Sequence, residues 1–597
     1  MSITKDIEEK ATYWATADVF DPQTRDEIGQ LLESKDDAEL TDRFYRDLEF
    51  GTGGLRGIIG AGTSRMNAYN IKKATTAFAQ QLQESNPNEP LKVGITFDSR
   101  HFSKEFAQTV AEVLAAHNVT ALITKELRPV PMLSFLVRKY SCHGGICITA
   151  SHNPPNYNGY KVYWKTGGQI TPPYDQQLIE KYRSISGYEN LPTLDYQTAL
   201  KQGLIKELGE ELDQAYFSRL DELSIKKNGR DNFKVVFTPL HGTAGIPVAT
   251  ALKRFGFNDV HVVPEQAKPD GNFPTVEFPN PEDPNALKLA VSLGEKLKAD
   301  LVLGTDPDCD RVGIVYREDD EFKFLNGNQI GCLLTEYILQ ALTEEKRLPE
   351  NPLVIKTIVT TDLQADIARH YKCHIDETLT GFKWICQLIE KYESGEITPY
   401  RKYVCGGEES YGFLMDSFVR DKDGIAACVI AAEMTAFYKS KGLSLTDVLA
   451  SIYRRHGVYR ESLSTVTMPG KAGAEQINEI MTRLRQNPPL TIDSVPVAQI
   501  KDILTGDNHK VVDNKLVTNG KIDLPSSNVL QFILEDGTKV SCRPSGTEPK
   551  IKYYVSVREA VATTVSDNEL EAAINRCESR VLKIQEVFMD LSNVSNT

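Results

Sequence analysis

Short apolar runs alternate along the chain with longer stretches in which apolar residues return every three or four positions. Residues 91–97, 121–124, 234–237, 300–304, 353–359 and 403–405 have the length and composition of strands. Residues 104–117 and 285–297 carry their apolar positions at helical spacing. Strands alternating with helices predict α/β units with largely parallel pairing. Residues 1–48 read as polar helices with a cap-like Thr41-Asp42, packed on the domain that follows. Loop-after-strand punctuation then recurs, which predicts three similar α/β domains at 49–210, 211–325 and 326–458. The pattern changes in 459–597, with strands around 529–534 and 551–557 and a helical tail from Asn568. That region predicts a smaller α+β domain.

Composition narrows the function. The chain has 597 residues, 41% hydrophobic and 25% charged, as ordinary globular proteins do. Its net charge of −14 argues against a nucleic-acid partner or a polybasic membrane contact. The first ten residues lack the apolar core of a signal peptide, and no apolar run approaches the roughly 20 residues that span a bilayer. Ten scattered cysteines with no C-x-x-C pair predict reduced, buried thiols. A cytoplasmic protein with no membrane contact is the expectation; nothing in the sequence sets an oligomeric state.

Four loops carry candidate chemistry. In Thr149-Ala150-Ser151-His152-Asn153-Pro154-Pro155 an apolar run delivers a serine into a turn that two prolines keep irregular. Ser151 beside His152 is placed to react, although Ser, Asn and Pro are also plain turn residues. In Gly304-Thr305-Asp306-Pro307-Asp308-Cys309-Asp310-Arg311, carboxylates two residues apart can face one hard cation, or form a solvated acidic turn. An EF-hand fails here, because Arg311 and Arg317 stand where that loop needs Gly and Glu. Gly406-Gly407-Glu408-Glu409-Ser410-Tyr411-Gly412 offers acceptors and a hydroxyl to a sugar ring, or is a glycine-flanked turn. Cys542-Arg543-Pro544-Ser545-Gly546-Thr547-Glu548-Pro549-Lys550 makes a compact anion cradle without the G-K-[ST] of a Walker loop.

Together these loops resemble the α-D-phosphohexomutase superfamily, in the phosphoglucomutase/phosphopentomutase-type branch. Asn158-Gly159-Tyr160-Lys161-Val162-Tyr163-Trp164 and Thr378-Leu379-Thr380-Gly381-Phe382-Lys383-Trp384 add to the branch-level likeness, and the motifs run in the family's order from about 44 to about 557. The resemblance implies three α/β domains and a smaller α+β domain around a central cleft. It implies that Ser151 is a phosphoserine, and that Asp306, Asp308 and Asp310 hold Mg2+ with an oxygen of phosphorylated Ser151 as a further ligand. Arg56 and Arg311 then add positive charge near the transferred group. His152 and Lys161 are candidates for proton transfer, the lysine only if its pKa is lowered. Thr380, Gly381, Lys383, Glu408, Ser410 and Lys422 fall at substrate-contacting positions. Arg543, Ser545, Gly546 and Thr547 match the loop that grips the phosphate not being transferred. The implied reaction moves a phosphoryl group between the 1-position and the terminal hydroxyl of a sugar phosphate through a bisphosphate. Glucose phosphates and ribose or deoxyribose phosphates are both compatible, with a sugar bisphosphate such as glucose 1,6-bisphosphate as activator. A glucose 1,6-bisphosphate synthase or a non-catalytic sugar-phosphate-binding paralogue is the alternative. Tyr411 and Gly412 after Ser410 resemble the glucose-type loop, not the mannose-type loop that places a histidine there. No G-x-S-x-G elbow surrounds Ser151, which speaks against acyl chemistry.

Overall fold

A computed structural model describes residues 3–51, 53–468, 470–545 and 550–592, with the side chains of Gly470 and Lys471 left aside. The chain divides into two compact units. The first holds 1–325, 386–397 and 410–437; the second holds 326–385, 398–409 and 438–597.

In the first unit, the helices Lys5–Thr16, Pro22–Ser34 and Asp37–Phe44 each begin at a side-chain cap, from Thr4, Asp21 and Asp36. The third cap differs from the sequence reading. Thr41 lies inside that helix, where its hydroxyl bonds back to the Asp37 carbonyl, so Asp36 does the capping. Trp14 stacks on Phe20 with ring centroids 4.2 Å apart, and meets Tyr69 and Tyr188 edge-on. The extension thus shares one apolar cluster with residues of the following domain.

Two sheets follow. The first runs in the order Gly54–Ile58, Tyr157–Trp164, Gly144–Ile148, Lys92–Phe97, Thr120–Thr124, Ile205–Leu208. Its last four strands are parallel and largely buried, except that the edge strand Ile205–Leu208 exposes Lys206 and Glu207. The first two are antiparallel to their neighbours. The second sheet runs Glu321–Phe324, Val312–Glu318, Leu301–Thr305, Lys234–Thr238, Asp259–Val262, again parallel at one end and antiparallel at the other. Largely parallel pairing therefore holds for only part of each sheet. The physical reason matters for the site: the Ser151 and Asp306 loops each join two antiparallel neighbours, so a loop too short for a helical crossover returns the chain.

In the second unit, Pro352–Thr357 pairs in parallel with both His374–Thr378 and Lys402–Glu408. A capping box at Asn326 and Gln329 starts the helix Gly327–Glu344. The C-terminal region builds an antiparallel sheet from Val458–Thr467, Lys550–Glu559, Lys539–Pro544, Leu530–Leu534, Val495–Asp502, Asp507–Val512 and Lys515–Lys521. The helix Asp567–Leu591 covers it, with Phe588 against Phe532 and Tyr553. All ten cysteines are buried and unbridged.

Candidate functional site

Ser151 sits in the left-handed region with φ 52°, a conformation that costs a non-glycine residue about 1–3 kcal/mol. Its backbone is fixed on both sides: its N–H donates to Thr149 Oγ1 at 2.9 Å, and its carbonyl accepts from Arg100. The strain turns the side chain out of the sheet. Ser151 Oγ donates to Asp306 Oδ2 at 2.6 Å and lies 3.2 Å from His152 Nδ1. Thr149 Oγ1 donates to Asp308 Oδ2 at 3.2 Å, a second link between the two loops.

The acidic loop is wound around its own first carboxylate. Asp306 Oδ1 accepts the N–H groups of Asp310 and Arg311, both at 3.0 Å. Thr243 and Val130 hold the turn from outside, through the carbonyls of Pro307 and Asp308. One oxygen each from Asp306, Asp308 and Asp310 lies within 4.8 Å of the others. All three residues are buried, and Asp308 Oδ1 and Asp310 Oδ1 have no hydrogen-bond partner. Buried carboxylate oxygens without partners are costly, and three oxygen donors with open positions fit a hard divalent cation.

The surrounding charges divide the trio. Burial and the charges of Asp308 and Asp310 raise the Asp306 carboxyl well above the usual carboxylate range. Burial also opposes the charge on Asp310, but Lys422, Lys161 and Arg311 outweigh it and hold that carboxyl low. Lys161 Nζ donates to Asp308 at 2.7 Å and to Asp310 at 3.3 Å; Lys422 Nζ lies 3.1 Å from Asp310. Burial lowers the Lys161 pKa, but the two carboxylates reverse this and raise it above the ordinary lysine value. The sequence reading required a lowered lysine; the folded surroundings do the opposite. His152 is driven well below its ordinary value by burial and by Arg311 and Arg56.

The structure places the other expected site residues as follows. Arg56, on the strand Gly54–Ile58, donates to Asn153 Oδ1 at 3.1 Å. Arg311 pairs with Glu282. Lys422 packs along Gly412, where a β-carbon would meet its Cδ at 2.1 Å. Ser410 belongs to the first unit. In the second unit, the Gly381 N–H donates to Glu408 Oε1 at 2.8 Å, with Gly381 at φ 107° beside half-buried Thr380. The buried Lys383 ammonium lies 4.9 Å from the Trp384 ring centroid. Arg543 pairs in register with Lys552, and the Ser545 N–H donates to the Lys550 carbonyl at 2.7 Å. Gly546 and Thr547 lie outside the described residues.

Several residues of this site were not singled out from sequence. Thr149 bridges the two loops, and Arg100 lies beneath the serine loop. Asp421 holds Lys422 at 3.1 Å while accepting from Tyr163 at 2.6 Å. The available signal was the turn Asp98-Ser99-Arg100 directly after a predicted strand. His143 accepts the Lys92 N–H and pairs with Glu89, a structural role.

Comparison with known proteins identifies the family. Models of the phosphoglucomutase/phosphomannomutase α/β/α domains I, II and III match residues 47–189, 214–319 and 326–456. A phosphoglucomutase of Staphylococcus saprophyticus is 36% identical over 531 residues, 89% of this chain and 94% of that protein. One from Staphylococcus aureus is 37% identical over 537 residues, covering 89% and 93%. Among solved structures, parafusin from Paramecium, a phosphoglucomutase in open form, has a TM-score of 0.66 at 20% identity, covering 91% of this chain and 95% of that one. A phosphoglucomutase/phosphomannomutase family protein of Burkholderia thailandensis has a TM-score of 0.61 at 19% identity, covering 89% and 96%. The chain belongs to the phosphoglucomutase/phosphomannomutase family, within the α-D-phosphohexomutase superfamily. It is accordingly a phosphosugar mutase, an isomerase that works by phosphoryl transfer. Among the described residues no helix is long and apolar enough to cross a membrane.

Proposed function

We propose that this mutase interconverts glucose 1-phosphate and glucose 6-phosphate, with Ser151 as the phosphoryl carrier. The observation that carries the reading is the Ser151 hydroxyl, 2.6 Å from Asp306 in a buried carboxylate trio with unpartnered oxygens. The likeness to curated phosphoglucomutases supports the sugar. Mg2+ is the cation proposed for Asp306, Asp308 and Asp310. These carboxylates and an oxygen of phosphorylated Ser151 would hold it, and it would supply charge neutralisation to the transfer.

The chain's own groups set the rest. Phosphoserine loses its P–O bond to Ser151 Oγ as the sugar hydroxyl forms a new one and releases its proton. The bisphosphate turns, and its other phosphate returns to Ser151, leaving the isomer. His152, whose Nδ1 lies 3.2 Å from Ser151 Oγ, is the better placed proton carrier; the Lys161 ammonium is occupied by two carboxylates. Arg56 and Arg311 flank the transfer. Thr380, Gly381, Lys383, Glu408, Ser410 and Lys422 orient the sugar, and Arg543, Ser545, Gly546 and Thr547 hold the distal phosphate. Catalytic amounts of glucose 1,6-bisphosphate keep Ser151 phosphorylated.

The test is turnover of glucose 1-phosphate and ribose 1-phosphate, with and without glucose 1,6-bisphosphate, in the parent and Ser151→Ala. The parent is expected to prefer the glucose phosphate and to need the bisphosphate, and the variant to lose about 10³-fold or more. Near-parent turnover by Ser151→Ala overturns the mechanism. Preference for ribose 1-phosphate reassigns the substrate, and net bisphosphate accumulation makes the protein a synthase.

A further inference from the structure

Arg100 is 3% exposed and meets the positions assigned to substrate and cation only at the Ser151 backbone carbonyl. Its guanidinium nevertheless makes four hydrogen bonds to the carbonyls of one loop. Nη1 donates to Pro154 at 2.7 Å and Tyr157 at 3.1 Å, and Nη2 donates to Ser151 and Asn153. The loop needs such a partner. Pro154 and Pro155 keep it irregular, so the carbonyls of Ser151 and Asn153 have no ladder to join, and buried carbonyls left unpaired are costly.

The guanidinium is itself fixed from behind. Asp98 Oδ2 lies 3.4 Å from Nε, and Asp98 Oδ1 accepts the Arg100 N–H at 2.9 Å and the Ser103 hydroxyl at 2.7 Å. The Asp98 N–H returns to the carbonyl of Ile148, the last residue of the strand that leads into the serine loop. The second α/β layer closes over the other face, where the Phe273 ring centroid lies 4.9 Å from Arg100 Cζ. Gly271 approaches so closely that a β-carbon there would meet the His101 nitrogen at 2.8 Å. Only a planar fork with several donors in fixed directions serves so many carbonyls at once; an ammonium cannot.

We infer that Arg100 is a positioning residue for phosphoryl transfer, holding Ser151 in its left-handed conformation so that Oγ faces the carboxylate trio. The inference rests on Ser151 being the phosphoryl carrier. Arg100 holds the serine loop by its carbonyls, while the Asp306 loop is tied by its own N–H groups; Arg100→Lys keeps the positive charge near Asp306 and Asp308. Loss of the fork therefore acts mainly on transfer, since the three carboxylates keep their places.

The experiment uses the full chain with Arg100→Lys and, as a milder change that keeps the fold, Phe273→Leu. Thermal unfolding establishes the folded fraction of each. Readouts are kcat, KM for glucose 1-phosphate, half-saturation by Mg2+, and the rate of Ser151 phosphorylation by glucose 1,6-bisphosphate followed by intact mass. For Arg100→Lys, phosphorylation and kcat are expected to fall about 100-fold while KM and the Mg2+ half-saturation stay within about threefold. Phe273→Leu is expected to show the same split at about threefold to tenfold. Parent kcat per folded molecule in Arg100→Lys overturns the inference, as does a KM rise that accounts for the whole loss. If Arg100→Lys does not fold, parent kcat in Phe273→Leu overturns it. Activity retained by Ser151→Ala would instead fault the carrier assignment, so the two failures are told apart.

Discussion

The Ser151 hydroxyl donates a 2.6 Å hydrogen bond to Asp306 Oδ2, joining loops 155 positions apart in the chain. The bond ties the proposed carrier to the one carboxylate of the trio with no lysine beside it. Asp306 in turn accepts the backbone N–H groups that shape its loop. Asp306→Asn keeps an oxygen for those N–H groups yet removes a charge from the cation site. It is expected to fold with near-parent thermal stability and to lose activity by at least about 10²-fold at any attainable Mg2+ concentration.

Asp308 gives a graded version of the same test. Its Oδ2 already serves Lys161 and Thr149, while Oδ1 has no partner. Asp308→Asn should raise the Mg2+ half-saturation concentration by about tenfold or more, since a charged oxygen donor becomes neutral. Titration of activity against free Mg2+ after chelation checks this. An unchanged half-saturation would remove Asp308 from the cation site.

His152 and Lys161 should separate by readout. His152 stands at the hydroxyl of the proposed carrier Ser151, whereas Lys161 neutralises two carboxylates. His152→Gln is expected to lower kcat by about 10²-fold with the Mg2+ half-saturation unchanged, as loss of a proton carrier does. Lys161→Met removes a cation that competes for the same oxygens, and should shift the Mg2+ half-saturation to lower concentration. Identical behaviour of the two variants would show that the roles are misassigned.

The serine loop and the acidic loop could be picked out because each is a short loop at the end of an apolar run, and the four loops together carry the family resemblance. The charge state around them could not be. Lys161 is raised only because folding brings Asp308 and Asp310 to it from about 150 positions away. Arg100 was hidden for a related reason, since a guanidinium that binds carbonyls leaves no pattern of side-chain types in the sequence. The antiparallel ends of both sheets were missed because alternating strands and helices imply parallel crossovers, and nothing in the composition of the return strands Tyr157–Trp164 and Val312–Glu318 sets their direction. The hairpin formed by Asp507–Val512 and Lys515–Lys521 carries mostly exposed residues, so no buried face marked it.

The N-terminal helices make a stability prediction free of catalysis. Trp14 is 1% exposed, stacked on Phe20 and ringed by Tyr69 and Tyr188. Trp14→Ala should cost about 3–5 kcal/mol in that cluster. Thermal unfolding should show the loss, while kcat per folded molecule at low temperature should match the parent. A change in kcat without a change in stability would tie these helices to the reaction instead.

Asp423 gives the pH prediction. It is 1% exposed, accepts from the Tyr216 hydroxyl at 2.7 Å, and accepts the Ala426 N–H at 2.9 Å at the start of the helix Gly424–Ser440. Burial pushes its carboxyl up from 3.8 to about 6, against the opposing pull of those hydrogen bonds. Between these values the folded protein keeps a proton that the unfolded chain has released. Its contribution to stability is therefore greatest below pH 3.8, falls as pH rises toward 6, and stays low above that. The loss across the window is about 3 kcal/mol. Asp423→Asn keeps an oxygen for the Ala426 N–H and cannot ionise. The difference in unfolding free energy, parent minus variant, should therefore decline across this window and then level off. A difference that stays flat from pH 4 to pH 7 would mean that Asp423 ionises in the folded protein as readily as in the unfolded chain.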